Sequence, residues 1–165
     1  MNLTNRARKA PGTALFARNK RDYLEWAVKR PTTFREDKPW VSAKAALEEF
    51  RRLTIYFVPS PSSAEEEPSE SVEFEAEITH IEINPALTEA MERLIEECID
   101  EAKEWVRGQT RAGQQGTIYR IAQCRRLRKQ DQFPFTQLEK LSGHGTLDPG
   151  FQRSYALVYR RVPTG

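Results

Sequence analysis

The most regular hydrophobic pattern lies at residues 72–78, where apolar residues alternate with glutamates. This period of two predicts a strand with one buried side and one solvent-facing side. Apolar positions resume at Ile81 and Ile83, one residue out of phase. The slip predicts a β-bulge near Thr79 or His80, because one extra residue restores the inward phase.

Further strands are predicted where β-branched and aromatic residues form short apolar runs. These runs cover residues 13–18, 53–58, 117–124 and 154–159. The run at 53–58 is almost continuously apolar, which is typical of a strand buried on both sides.

Two helices are predicted in the first third of the chain from apolar residues at helical spacing. Asn19 is expected to cap the first helix, which ends before Pro31. Ser42 is expected to cap the second, which covers residues 43–52.

One long amphipathic helix is predicted in the middle of the chain. Asn84 is the expected cap, Pro85 occupies the first helical position, and Gly108 ends the apolar periodicity. Trp105 is in phase with the apolar side and is expected in the core, whereas the other side is mostly glutamate.

A capping-box pattern at Thr136 and Glu139 predicts one more short helix. Strands separated by helices of unequal length indicate an α+β fold rather than a doubly wound parallel sheet. We expect a small, strongly bent mixed β-barrel with flanking helices.

The chain has 165 residues, which fits one domain, expected at residues 13–162. Residues 1–12 contain several basic and few apolar side chains, and they predict a flexible basic arm. Residues 59–71 are rich in proline, serine and glutamate, and they predict a mobile acidic loop.

Several ligand and location classes are not expected from the composition. No run of 18 apolar residues exists, so no membrane partner is expected. The N-terminus is basic, but no apolar stretch follows it, so no secretory signal is expected. The two cysteines and two histidines form no metal motif, and His144 is expected in a surface turn. We therefore expect no metal, no cofactor and a cytoplasmic location, while the oligomeric state stays open.

The net charge of +2 conceals a strong segregation along the chain. Residues 1–60 carry a net charge of +7, residues 61–104 carry −13, and residues 105–165 carry +8. If the two basic ends share one face, the protein has a polyanion-binding surface with the acidic part elsewhere. The alternative is that the acidic third is a solvated surface that balances the total charge.

Two basic clusters follow predicted strands. One contains Arg18, Lys20 and Arg21, and the other occupies residues 125–129. Together they are expected to form a stripe that binds phosphates. The alternative is two solvated turns.

Trp40 lies in a charged loop, outside any apolar periodicity and between Lys38 and Lys44. We interpret it as the wall of a pocket in which a base stacks. The structural alternative is that Trp40 packs this loop onto the barrel.

Four segments also carry a resemblance to a known family. They are residues 14–19 (Ala-Leu-Phe-Ala-Arg-Asn), 40–47 (Trp-Val-Ser-Ala-Lys-Ala-Ala-Leu), 52–57 (Arg-Leu-Thr-Ile-Tyr-Phe) and 72–78 (Val-Glu-Phe-Glu-Ala-Glu-Ile). In this order they resemble the PUA-like superfamily, specifically its EVE, ASCH and YTH branches, over roughly residues 13–160. The chain departs from the EVE pattern at Arg51 and Arg52, which stand where a Gly-Asp pair is usual, and it lacks the Arg-Asn pair after the tryptophan.

The resemblance implies a curved β-barrel that binds RNA or DNA and holds a flipped or modified base in an aromatic pocket. Stacking on an aromatic ring contributes ~1–3 kcal/mol per base, and arginine and lysine bind the flanking phosphates. The residues expected to bind nucleic acid are Arg18, Lys20, Arg21, Lys38, Trp40, Lys44, Arg125, Arg126, Arg128 and Lys129.

Two alternatives belong to other functional classes. The resemblance also allows an ASCH-type hydrolase acting on RNA or a modified nucleoside, for which the sequence offers Lys44 and Glu48 one helical turn apart. A complete set of nucleophile, base and orienting group is not recognisable, so a binding module is preferred over an enzyme. The third alternative is an interaction protein whose acidic helix and loop bind a basic partner.

Overall fold

The structure is a computed structural model, and it describes residues 12–141 and 145–161. Most of the basic arm expected at residues 1–12, the turn containing His144 and the domain end at residue 162 therefore lie outside the described residues.

The described residues form an α+β fold, as predicted, with eight strands and four α-helices. The strands are β1 (Thr13–Lys20), β2 (Thr32–Glu36), β3 (Leu53–Ser60), β4 (Ser71–Val72), β5 (Phe74–Ile83), β6 (Thr117–Arg126), β7 (Phe133–Pro134) and β8 (Tyr155–Tyr159). The helices are α1 (Arg21–Val28), α2 (Val41–Phe50), α3 (Glu89–Ile95) and α4 (Lys103–Arg111).

Six of these strands form one mixed sheet in the order β2-β6-β5-β3-β1-β8. β1 and β3 are parallel, and the other neighbours are antiparallel. β2 and β8 are the edges, and in the part of the chain described no strand pairing joins them. Strand pairing therefore does not confirm a closed barrel.

Both faces of the sheet bury apolar side chains, and β1 contributes to each. Leu15 and Ala17 belong to the larger core, which also contains residues of α1 and α2. Ala14 and Phe16 point into a second core that contains Phe135. A strand buried on both faces requires a nearly continuous apolar run, which residues 13–17 provide.

The predicted bulge is present at Thr79. Its neighbours Ile78 and His80 pair with adjacent residues of β6, so Thr79 is the extra residue on β5. A second irregularity in the same pair of strands lies on β6, where Gln123 has a φ of 53°. Bulges increase local twist, so both bend the centre of the sheet.

The prediction of one long helix from Asn84 to Gly108 is wrong. The helical region instead contains α3 and α4, and α3 begins after Thr88, whose hydroxyl accepts a hydrogen bond from the Met91 N–H. Asn84 has a φ of 44°, and its amide oxygen accepts a hydrogen bond from Gly116. Asn84 thus fixes the turn to β6 rather than capping a helix.

The break between α3 and α4 also changes the position of Trp105. Ile99 has an extended backbone, with a ψ of 139°, and a short 3-10 turn follows it. The buried residues around this hairpin are Met91, Ile95, Cys98, Val106 and Ile118. Trp105 was expected in the core, but its side chain is 52% exposed because α4 is reoriented after the break.

Other predicted helix caps are wrong as well. Lys20, not Asn19, is the N-cap residue of α1. Trp40, not Ser42, is the N-cap residue of α2, and Ser42 lies inside that helix. The N–H of Asp22 near the start of α1 instead donates to the hydroxyl of Ser62, from the loop after β3. The capping box near Thr136 yields only a single 3-10 turn.

Candidate nucleic-acid interface

The charge segregation of the sequence does not carry over to the surface of the sheet. β5 belongs to the acidic third and lies between β3 and β6, which belong to the two basic thirds. Arg52 therefore lies 2.8 Å from Glu77, and Arg125 lies 3.1 Å from Glu75. On this part of the sheet, basic and acidic residues alternate, rather than forming one basic face.

The two predicted basic clusters do meet, at the buried carboxylate of Glu73. Arg21 donates to both of its oxygens at 2.9 and 3.1 Å, and Arg126 lies 4.0 Å away. Arg21 also contacts Glu66, and the hydroxyl of Ser69 donates to Glu73 at 2.7 Å. Burial disfavours the charged form of Glu73, but the hydrogen bonds from Arg21 and Ser69 outweigh this effect and lower its pKa.

Arg18 has structural contacts as well. Its guanidinium lies over the rings of Phe16 and Phe135 and donates to the backbone oxygen of Phe151 at 3.0 Å. Burial lowers the pKa of Arg18, and the charge of Glu70 partly opposes this change. Arg18 therefore holds the loop containing Phe151 against the second core.

Other predicted basic side chains lie nearer to solvent. The Lys44 ammonium is 3.9 Å from the carboxylate of Glu82 and Arg128 is 2.9 Å from Asp131, whereas Lys129 is exposed. Exposed ion pairs contribute only about 0–1 kcal/mol, so phosphates can replace the carboxylates at low cost. Lys20 is likewise exposed and has its ammonium 5.5 Å from the centroid of a tyrosine ring.

Trp40 is fully buried, so it offers no accessible ring to a base. Its ring centroid lies 4.5 Å from that of Tyr119 and 4.9 Å from that of Tyr155. The indole N–H donates to the hydroxyl of Ser154 at 3.1 Å, and the backbone N–H donates to Thr117 at 2.8 Å. These contacts correspond to the structural alternative, in which Trp40 packs its loop onto the sheet.

Trp40 also joins the two edges of the sheet. It follows β2, whereas Tyr155 is the first residue of β8, and a hydrogen bond between the hydroxyls of Ser42 and Tyr155 adds a second link. The edges thus approach each other through side chains. We call the gap between residues 36–38 and residues 155–157 the seam.

A cavity of about 710 Å³ lies along the seam. Its lining includes the half-buried rings of Tyr155 and Phe151 and the side chains of Lys38, Lys140 and Arg153. Among the described residues, no carboxylate lies within 4.0 Å of the charged groups of these three cations. The seam cavity therefore combines aromatic surface with unpaired positive charge.

Glu36 is the last residue of β2 and lines the same cavity. One of its carboxylate oxygens accepts a hydrogen bond from the Asp37 N–H at 3.2 Å. Burial raises the pKa of Glu36, while this hydrogen bond and the charges of Arg35 and Lys38 partly oppose the change.

A second concave region lies on the outer face of β3, β5 and β6, where cavities of about 720 and 300 Å³ share Glu75 and Arg125. The larger cavity is lined by three arginines and three glutamates, so its formal charges balance. The seam cavity is lined by three cations and by two carboxylates, Glu36 and Asp37. Its formal charge is therefore positive by one, which suits a polyanion better than the balanced outer cavity.

The described residues offer little for nucleophilic or metal chemistry. Burial raises the pKa of Cys98 and of Cys124 to about 12, which keeps both thiols protonated at neutral pH. Within residues 12–141 and 145–161, no group of three or more histidine, cysteine or carboxylate side chains is placed to hold a metal ion. Lys44 is near Glu82 rather than forming the helical pair considered with Glu48.

Sequence reasoning found Lys38 but missed most of the seam cavity. Tyr155 is part of an apolar strand pattern and looked like core, and Lys140 and Arg153 are isolated charges outside any cluster. Phe151 follows a turn that carries no periodic signal. Only the return of β8 beside β1 brings these residues close to the end of β2.

No family model matches the chain, and comparisons with curated proteins and with solved structures also find no match. None of the helices in the described parts of the chain is long and apolar enough to cross a membrane.

Proposed function

We propose that this chain is a nucleic-acid-binding module that holds one unpaired or flipped base in the seam cavity. The observation that carries the proposal is the combination of Tyr155 and Phe151 with three unpaired cations around one concavity. Aromatic rings can stack on any of the bases, and nearby lysine and arginine side chains bind the flanking phosphates.

The size and position of the cavity support this function. At about 710 Å³, it lies within the range of small-molecule sites, which is roughly 300–1,000 Å³. Flipping a base out of a duplex costs a few kcal/mol, and this cost is offset by stacking on Tyr155 and by contacts to the cations. A single strand avoids most of this cost, so we propose single-stranded RNA or DNA as the preferred ligand.

The PUA-like architecture is part of the same proposal. The sheet is bent by two bulges, and its edges approach through Trp40 and Tyr155. We propose that this is an incompletely closed barrel whose opening is the seam. In this arrangement, Trp40 supports the base-stacking ring of Tyr155 from the interior.

In this proposal, only some of the basic residues that the sequence predicts as phosphate ligands keep that role. Lys38 lies at the cavity and binds a phosphate next to the held base. Cations further away bind phosphates along the strand: the exposed Lys20 and Lys129, and the half-buried Lys44. Arg18 and Arg21 act mainly through their structural contacts.

A binding titration tests the proposal. Fluorescence anisotropy of labelled single-stranded RNA and DNA would be measured at about 50 and 200 mM salt, over which phosphate contacts weaken strongly. The variant Lys38→Ala/Lys140→Ala is expected to weaken binding at least tenfold and to reduce the salt dependence. The charge-matched control Lys29→Ala/Arg111→Ala, at exposed positions outside the cavity, should bind like the wild type. Absence of binding at low salt, or equal losses in both variants, would contradict the proposal.

A further inference from the structure

One carboxylate in the wall of the seam cavity has no ion pair. In the described part of the chain, no lysine or arginine nitrogen lies within 4.0 Å of Glu36, and only one of its oxygens has a hydrogen-bond partner, the Asp37 N–H. A carboxylate with free acceptor capacity in a partly buried position favours a ligand that donates hydrogen bonds to it.

Glu36 is also placed next to the aromatic rings of the seam. It lies two residues after Phe34, so strand alternation puts both side chains on the inner face of β2. Across the antiparallel pair of β2 and β6, Glu36 pairs with Thr117, which makes Tyr119 its diagonal neighbour on the same face. Because Tyr119 stacks on Trp40, Glu36 lies beside the stack that ends at the cavity.

The four bases differ in what they present to a carboxylate. Guanine carries two adjacent donors, the N1–H and the 2-amino group, which match the two carboxylate oxygens. Adenine and cytosine place a ring-nitrogen acceptor beside their amino group, and uracil and thymine place one N–H between two carbonyl oxygens. Against a fixed carboxylate, these bases leave an acceptor facing an acceptor.

We propose that Glu36 makes the seam cavity selective for guanine, whose paired donors bind the Glu36 carboxylate while the ring stacks on Tyr155. This inference rests on the proposed function, because it assumes that the cavity holds a base. The cations Lys38, Lys140 and Arg153 bind the phosphates and offset the repulsion between Glu36 and the nucleic-acid backbone.

The test uses a series of seven-nucleotide RNAs that contain uridine at every position except the centre. The central base is guanine, inosine, adenine, cytosine or uracil, and affinity is measured by isothermal titration calorimetry with the full chain. Guanine is expected to bind about tenfold or more tightly than adenine, cytosine or uracil, as is usual for a bidentate base contact. Inosine lacks the 2-amino group and is expected at an intermediate affinity.

Two variants assign the preference to one side chain. Glu36→Gln replaces one acceptor oxygen with a donor, so the preference for guanine over inosine should disappear. Glu48→Gln, at an exposed position on α2 outside the cavity, is the matched control and should keep the preference. Circular dichroism of both variants establishes that they are folded.

The possible results separate this inference from the proposed function. Binding of all five RNAs with equal affinity, or a guanine preference that survives Glu36→Gln in a folded protein, overturns the role of Glu36 and leaves the binding function intact. If none of the five RNAs binds, the proposed function itself is overturned, and selectivity is overturned with it.

Discussion

The indole ring of Trp40 lies against the phenol ring of Tyr155, with their centroids 4.9 Å apart. This contact joins the end of β2 to the start of β8, the two edges of the sheet. It therefore has two consequences. It stabilises the bent sheet, and it fixes the position of the ring at which we propose that a base stacks.

The first prediction concerns stability. Trp40→Ala removes a fully buried ring and should lower the free energy of unfolding by about 3–5 kcal/mol, measured by urea denaturation. Trp105→Ala is the matched control, because that ring is half-exposed, and it should cost much less. Equal losses in the two variants would show that the Trp40 contacts do not hold the sheet edges together.

The buried network around Glu73 predicts a stability change with pH. The hydrogen bonds from Arg21 and Ser69 lower the pKa of Glu73 in the folded protein below its unfolded value. A depressed pKa contributes stability above the unfolded pKa, about 4.3, and this contribution is lost as the pH falls through the folded pKa. Glu73→Gln should therefore destabilise the protein by about 1–3 kcal/mol at pH 7 and by less at pH 3.

Urea denaturation at pH 7, 5 and 3 measures this difference, with Glu48→Gln as the exposed control. A Glu73→Gln penalty that is the same at all three pH values would contradict the charged network. A loss of stability of the same size in Glu48→Gln would also contradict it.

The two thiols should be unreactive in the folded protein. Burial raises the pKa of Cys98 and Cys124 to about 12, so their thiolate population at pH 7.5 is very small. Reaction with a chromogenic disulfide reagent should be slow in native buffer and fast in denaturant. Rapid native reaction of either thiol would show that it is accessible and ionised, and would reopen the enzyme alternative.

Arg51 predicts a stabilising substitution. It ends α2 in the left-handed conformation, with a φ of 62°, where glycine has no steric penalty. Arg51→Gly should raise the free energy of unfolding by about 0.5–1 kcal/mol. Glu48→Gly, inside the same helix, should lower it by about 1 kcal/mol, so the two variants have opposite signs in urea denaturation. A loss of stability in Arg51→Gly would contradict the cap geometry.

The sequence predicted local features of the fold well, because strands and bulges follow from short-range alternation. The bulge at Thr79 is readable from a single phase slip. The break at Ile99 was missed because the apolar spacing continues through it, since residues of both helices share one buried cluster with Ile118 of β6.

The candidate site depended on long-range topology, so the sequence predicted it only in part. Placing β5 between β3 and β6 brings glutamates next to arginines and removes the simple charge segregation. Trp40 was singled out for its unusual context, and it is indeed at the seam, but as a buried support. Tyr155 carried no such signal because its strand pattern resembles that of a core strand.

Photo-crosslinking tests the central claim most directly, because it locates the base on the protein. The probe would be a uridine-only RNA with one 5-iodouridine, so that no guanine competes for the seam cavity. It would be irradiated in complex with the full chain, and the crosslinked peptide would be identified by mass spectrometry. We predict crosslinks at Phe151 or Tyr155, the aromatic residues of the seam cavity. Crosslinks confined to the outer face around residues 123–133, with none at the seam, would contradict the account.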